Sequence, residues 1–498
     1  MMHNLLATRV AILLAVCAFC STGYPAGALE TGTSPQGGAD AMPVVPLSSV
    51  PQVEPVPPLT YQLVPSYSQL TPGNAATNYY RAIVMLPHDE QHQFDEQQFQ
   101  WLEVPLAEFP RDEARKWLKA YGNALNEVHT ATCHEDCDWG YRLRELEGLE
   151  IVSFLLPELA EVRTIARVLR LQSRVEIADG RFEDALRTIT TGYRLGENVA
   201  RTPILVSALV GVAIIGQMNA SVLDWIEAGG PNLYWALAGL PDPLVDVRLA
   251  VQQESYLPVQ ICPILDDPEH ATHTAEEWRR LLGQSIQQLE QMTNSGNESS
   301  HLRSETIATG LLLVGYSTAK QELIDSGMDA AQVEAMPVAQ VVAILSARAY
   351  QTTYQELMKW TLLPYWQSYR QMRATSADLR RRGLLGTTSH QPVLPVANLL
   401  MPAVDLAVFA PVRMQREIAA LQTIEALRMF AASHDGQFPQ SLEQLQQCPA
   451  PWDPVTGTFI DYRLQDGAAV LTLPPPEGQS PRNEGKRYEL RFRQPSGQ

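Results

Sequence analysis

Six consecutive residues, Cys133-His134-Glu135-Asp136-Cys137-Asp138, gather thiols, an imidazole and carboxylates. Zinc takes two to four such ligands, at about 2.0–2.3 Å. No second ligand pair follows at finger-like spacing, and the order is not the Cys-x-x-Cys-His of haem attachment. In an exported chain oxidation competes with metal, so a local Cys133–Cys137 disulfide or a pair of structural thiols is the leading expectation, ahead of neither role and of a metal site. A second cluster, Asp266-Asp267-Pro268-Glu269-His270-Ala271-Thr272-His273, sets two imidazoles among acids. Pro268 and the flanking carboxylates favour a solvated loop over a metal site. Trp360, Tyr365, Trp366 and Tyr369 recur at helical spacing, as the floor of a sugar-binding groove would, but aromatic core packing explains them better. His-Glu-x-x-His, a P-loop, a dinucleotide fingerprint and Gly-x-Ser-x-Gly are all absent. With 55 acidic residues, chance carboxylate pairs are inevitable and identify no glycosidase. No catalytic, cofactor-binding or metal-ligating residue is therefore assigned, and no cofactor is expected.

What positions such residues depends first on where the chain works. Its 498 residues suffice for two or three domains, and 45% hydrophobic with 18% charged residues is ordinary globular composition. A net charge of −18, without any basic run of nucleic-acid type, argues against nucleic acid and anionic membrane surfaces as partners. Residues 1–28 have the form of a secretory signal peptide: Arg9, an apolar run from Val10 to Phe19, and small residues at Ala26-Gly27-Ala28. Cleavage would leave Leu29 first, in a periplasmic or cell-envelope protein. Leu14-Ala15-Val16-Cys17 approaches a lipobox, but Val16 fits that signal poorly, so lipoprotein anchoring through Cys17 is the lesser reading. Four cysteines would then remain, and a long-range Cys262–Cys448 disulfide is the second expected pair.

Periodicity gives the elements. Residues 29–65 are rich in Pro, Gly and Ser and read as an extended, disordered spacer. A helical domain is expected over 66–382, a linker over 383–410, and a small α+β module over 411–498. The helical part is organised around Glu158 to Gly229. An apolar stripe through Ile165, Val168, Leu169, Leu171, Gln172 and Val175 marks one helix. Asp179-Gly180 ends it, and a second helix runs through Ala185, Ile189 and Tyr193. The third is almost wholly apolar from Ile204. Its Val206–Gly216 run is too short for a membrane span, is broken by Gly211 and ends in Gln217 and Asn219, so it reads as a buried core helix and no integral span is expected. In the last segment a helix from Pro411 to Ser433 precedes short strands, with Asp466-Gly467 as a hairpin turn.

The stretch Ala178 to Leu195, with Gly180, Phe182 and Ala185, resembles one tetratricopeptide-type hairpin. Its other marks do not recur at the repeat's period, which implies an irregular helical array. Met414 to Leu473 resembles the globular part of type II secretion major pseudopilins, on Ile424-Glu425-Ala426-Leu427-Arg428-Met429-Phe430, Gly436-Gln437-Phe438-Pro439, Ser441-Leu442, Asp453-Pro454, Gly457 and Tyr462. The departures are that the exposed N-terminal filament helix is missing, and that Asp453, Asp461 and Asp466 are too few for the calcium loop and serve turns. The resemblance thus implies a fold and a docking module instead of a filament subunit. The whole arrangement is also similar to exported bacterial proteins with a helical body and pilin-like tail, on Cys137-Asp138-Trp139-Gly140, Asn232-Leu233-Tyr234-Trp235-Ala236-Leu237 and Glu334-Ala335-Met336-Pro337. No activity comes with that likeness. A mainly α fold is expected, with protein partners held by the helical array in a non-catalytic scaffold or adaptor. An accessory of a secretion or pilus-like machine and an envelope hydrolase are the alternatives.

Overall fold

The computed structural model describes residues 41–89, 93–142, 145, 158–254, 256–293, 315–382 and 404–493. The expected signal peptide, Cys17 and most of the expected linker lie outside these residues. The fold is mainly α, with a small α+β C-terminal region. Two compact units divide the chain. Among the described residues the larger gathers 41–140, 158–247 and 409–493, and the other is built chiefly from 248–408.

The larger unit opens on β1 (Val44–Ser49), inside the expected spacer. Leu47 and Ser49 alternate inward and are buried, so this segment is ordered, contrary to the reading of 29–65 as one spacer. Pro46 hid the strand, because proline weakens any strand assignment except at a sheet edge, and β1 is an edge. β2 (Thr71–Asn74) leads into α1 (Ala75–Val84), where the Asn74 side chain accepts from the Ala76 amide as an N-cap. α2 (Glu96–Glu103) starts with an Asp95/Gln98 capping box. α3 (Arg111–Leu118) and α4 (Gly122–Ala131) follow, then β3 (His134–Asp136), which pairs parallel with β2.

The central helices are α5 (Glu158–Ala178), α6 (Phe182–Ala200) and α7 (Leu205–Glu227), with the short α8 (Tyr234–Ala238) beyond. Gly180, at φ 72°, closes α5: its amide reaches Ile177 O and that of Arg181 reaches Glu176 O, a Schellman end that needs the left-handed residue. α7 has 23 residues and is longer than its sequence suggested, with a mean hydropathy of 1.7 over an 18-residue window. It is long and apolar enough to cross a membrane, and here most of that window is buried. Its polar residues meet partners on α5 and α6. Asn219 accepts from the Tyr193 hydroxyl at 2.6 Å, Ser221 meets Ser173 at 2.8 Å, and Asp224 pairs with Arg170.

The helical unit contains α9 (Arg248–Glu254), α10 (Leu257–Ile261), α11 (Ala275–Thr293), α12 (Ala330–Ala335), α13 (Val338–Met358) and α14 (Tyr365–Arg382). One of its cores joins Leu323, Val333, Val341 and Ile344, and another joins Tyr350, Leu357 and Met372. The expected single helical domain over 66–382 is therefore split, and its first part shares a unit with the C-terminal segment.

α15 (Val404–Ala432) begins within the expected linker, and Pro411 sits inside the helix instead of at its start. β4 (Trp452–Asp453) and β5 (Thr458–Phe459) form a small ribbon. β6 (Asp461–Gln465) and β7 (Ala468–Leu473) make the expected hairpin, with Asp466 and Gly467 at φ 52° and 72°. α16 (Pro481–Glu484) precedes β8 (Lys486–Phe492). The sheet order is β1-β8-β7-β6, with β1 parallel to β8. The C-terminal segment is thus no detachable module. Arg428, fully buried, donates to both Glu425 oxygens at 3.0 and 2.8 Å, to Val50 O at 3.0 Å and to Gly230 O at 2.7 Å. Asn232 Nδ2 donates to Glu425 O at 2.9 Å, and Arg416 pairs with buried Asp453 at 2.7 Å.

Candidate functional site

All four cysteines of the described residues are free thiols, so neither expected disulfide is present. The reason at the first pair is local. β3 fills the interval between Cys133 and Cys137, and four extended steps span about 13 Å, where a disulfide tolerates a Cα separation of at most about 7 Å. Burial pushes the Cys137 thiol up to about 12, against the opposing charges of Arg201 and Arg194. Cys262 and Cys448 are buried in different units, their thiols raised by burial to about 12 and about 11. Cys448 Sγ lies 3.2 Å from Met429 Sδ.

The groups around Cys133 are spent on structure. His134 Nε2 meets Asn78 Oδ1 at 3.1 Å, and Arg194 donates to the His134 and Glu135 carbonyls at 3.1 and 3.3 Å. Asn74 holds the Asp138 backbone at both ends, accepting from its amide at 2.9 Å and donating to its carbonyl at 2.7 Å. In the second cluster His270 pairs with Asp267 at 2.7 Å while Glu269 pairs with Arg348 at 2.6 Å, so its acids serve separate contacts. Among the described residues no three His, Cys, Asp or Glu side chains converge as a metal would require. Of the four aromatics, Tyr365 and Tyr369 are buried 5.2 Å apart, Trp360 packs on the core around Leu357, and Trp366 is 45% exposed.

The site that the structure does assemble was not among these. A cavity of about 290 Å³ lies where α3 and α4 face α5 and the turn into α6. Its apolar floor includes Leu118, Leu125 and Val175, and its polar wall includes Asn126, His129, Gln172 and Glu176, with Arg115, Lys119 and Arg181 also lining it. The Schellman turn at Gly180 places Arg181 there. A carboxylate framework holds the arginines: Asp179 accepts from Arg115 at 2.6 and 2.8 Å and from Arg181 at 3.3 Å, and Asp112 and Asp184 take the other arms at 2.6 and 2.7 Å. Burial pulls the Asp179 carboxyl upward, but the two guanidinium groups outweigh it and leave it below the usual range.

Glu176 is 5% exposed. Its two oxygens accept from Gln172 Nε2 and from Thr188 Oγ1, each at 2.8 Å. Burial drives its carboxyl above the ordinary range, against those hydrogen bonds and the charge of Arg181. His129 Nδ1 lies 2.7 Å from Thr191 Oγ1, and burial, helped by the charge of Arg187, lowers the imidazole to about 4. At neutral pH the ring is uncharged. These residues escaped the sequence reading because each looks ordinary alone: Gln172 fell within an apolar stripe, Glu176 one turn on, and His129 on a separate helix. The i,i+4 spacing of Gln172 and Glu176 was the one available signal. No family model matches this chain, and neither a curated protein nor a solved structure matches it.

Proposed function

We propose that this chain is a non-catalytic scaffold or adaptor of the cell envelope, exported after signal cleavage, which holds protein partners through its helical array. The cavity between the α3–α4 layer and the α5–α6 hairpin carries this reading. Its polar groups are fixed by framework hydrogen bonds, its floor is apolar, and its walls come from packed helices, so it offers a preformed recess for a protruding segment of a partner. The test is a native pull-down from the source cells with the intact chain and with Gly122→Leu. Gly122 lines the cavity, and a Cβ added there meets no atom within 4 Å, so leucine adds bulk at its rim without backbone strain. A defined set of envelope proteins captured by the parent and lost with the variant supports the reading, and capture of the same set by both overturns it. Sequencing the N-terminus of the protein from those cells should give Leu29, and a start at Met1 would remove export from the proposal.

A second reading, an accessory of a secretion or pilus-like machine, draws on the long α15 followed by the antiparallel β6, β7 and β8. Components of such a machine in the captured set would favour it over the general scaffold.

A further inference from the structure

The two edges of the four-stranded sheet differ in what they offer another strand. At β1 the Arg487 amide donates to Pro43 O and that of Arg493 to Ser49 O, which turns Val45 and Leu47 toward β8 and leaves Val44, Pro46 and Ser48 facing outward. Pro46, the middle of these three, has no N–H to give, and an edge interrupted in this way is a poor template for pairing. β6 has no such block. Its two-residue turn makes Gln465 and Ala468 a hydrogen-bonded pair, and along an antiparallel ladder bonded pairs alternate with unbonded ones. Arg463 and Asp461 are therefore bonded to β7, whereas Tyr462 and Leu464 point their N–H and C=O groups away from it. The sheet ends at β6, and among the described residues no other backbone group bonds these two. The strand contains neither proline nor lysine, keeps an unbroken register with β7, and exposes Asp461, Arg463, Leu464 and Gln465. It thus lacks the devices that ordinarily protect an edge.

The side chains specify which strand fits. Asp461 and Arg463 project on one face of β6, Tyr462 and Leu464 on the other. Across the hairpin Asp461 faces Thr472 and Arg463 faces Val470, so neither meets an opposite charge on β7, and their own contact along the strand is 3.4 Å. A second β6 laid antiparallel on this edge can bond only where outward residues face outward residues. A two-fold axis through Arg463 would set Arg463 against Arg463 of the second copy, and one through Asp461 would set Asp461 against Asp461. An axis through Leu464 would run each strand into the other's Asp466-Gly467 turn. With the axis through Tyr462, the two tyrosines form a bonded pair and Asp461 faces Arg463 twice, in the closely spaced unbonded pairs where cross-strand charges interact most strongly.

We infer that β6 is a self-association edge, through which two copies of this chain pair antiparallel about Tyr462 and join their four-stranded sheets into one. The surface is separate from the cavity, so this inference and the scaffold reading fail separately. A seam of five residues per copy is small beside the roughly 1,200–2,000 Å² of a stable interface, which makes the dimer reversible and dependent on concentration.

The experiment is sedimentation equilibrium of the intact chain across the micromolar range, where the parent should weigh as a reversible dimer. Leu464→Pro removes an outward N–H and sets a ring where the second strand must lie, without touching the bonds to β7. It should weaken the dimer by about tenfold or more, because the two-fold axis loses the bond twice. Asp461→Arg and Arg463→Asp each place like charges in both facing pairs, so either variant alone should be monomeric where the parent is dimeric. An equimolar mixture of those two variants should recover the dimer, since each offers the charge that the other needs. Both positions are exposed, so their unfolding midpoints should match the parent's. A parent that is monomeric throughout, a dimer indifferent to Leu464→Pro, or a mixture that stays monomeric would overturn the inference. So would a monomeric parent whose Tyr462 and Leu464 amides are shielded from hydrogen exchange only when cell extract is added, which would give the edge to a different chain.

Discussion

At the scale of single residues, buried charge in this protein is of two kinds. Arg428 is engaged through all three guanidinium nitrogens: four hydrogen bonds end on Glu425, Val50 O and Gly230 O. Removing it strands a buried carboxylate and two carbonyls, so Arg428→Ala should cost about 3–5 kcal/mol in urea unfolding. His129 is of the other kind, held neutral by burial, with its folded value lowered from 6.5 to about 4. Between those two values the unfolded chain binds the proton and the folded one does not. The stability that neutral His129 contributes is therefore complete above pH 6.5 and is lost as the pH falls to 4, by as much as about 3 kcal/mol. Unfolding midpoints of the parent and of His129→Gln across that window should diverge with this slope, because the variant lacks the imidazole. The thiols give a third check: Cys133 is exposed, so it should react with a thiol reagent in the native protein, whereas Cys262 and Cys448 should react only on unfolding. Legibility at this scale follows locality. Asp466-Gly467 and Gly180 were readable because a backbone conformation depends on adjacent residues. The grouping of His129 with Gln172 and Glu176 was not, because it depends on two helices meeting.

Between elements, α6 and α7 approach closely and meet through glycines. A Cβ on Gly211 would lie 2.4 Å from Gly196 O and 2.7 Å from the Ala200 Cβ, and backbone cannot yield as a side chain can. Gly211→Ala should therefore destabilise by about 1–3 kcal/mol or more. Gly216, on the same helix with nothing within 4 Å, is the control. Gly216→Ala should instead stabilise by about 0.5–1 kcal/mol, through helix propensity alone. Thermal unfolding of the pair distinguishes close packing from loss of chain flexibility. The helices themselves were plain in the apolar spacing, including the hairpin around Gly180. Two extents were misread for the same reason, that proline was taken as punctuation. Pro46 lies within an edge strand and Pro411 within α15. In each case the surrounding structure outweighs a local preference.

At the scale of the whole molecule, the sequence placed domain borders where composition changes, at 66, 383 and 411. The larger unit ignores them, because it is held by bonds between distant segments: Arg428 to Val50 and Gly230, Asn232 to Glu425, and Arg493 to Glu227 O at 2.5 Å. A chain ending at residue 410 should lose the near-ultraviolet circular dichroism of the whole larger unit and become protease-sensitive across α5–α7. A merely appended tail would leave that helical body intact. Composition reports what a segment is made of, and closure of this unit depends on which segments return to it. The parallel pairing of β1 with β8 has a temporal side. Val44 is translated long before its partner Arg487, at the opposite end of the described chain. The sheet cannot close until β8 has been synthesised, and until then β1 must wait with its hydrogen-bonding edge unmet.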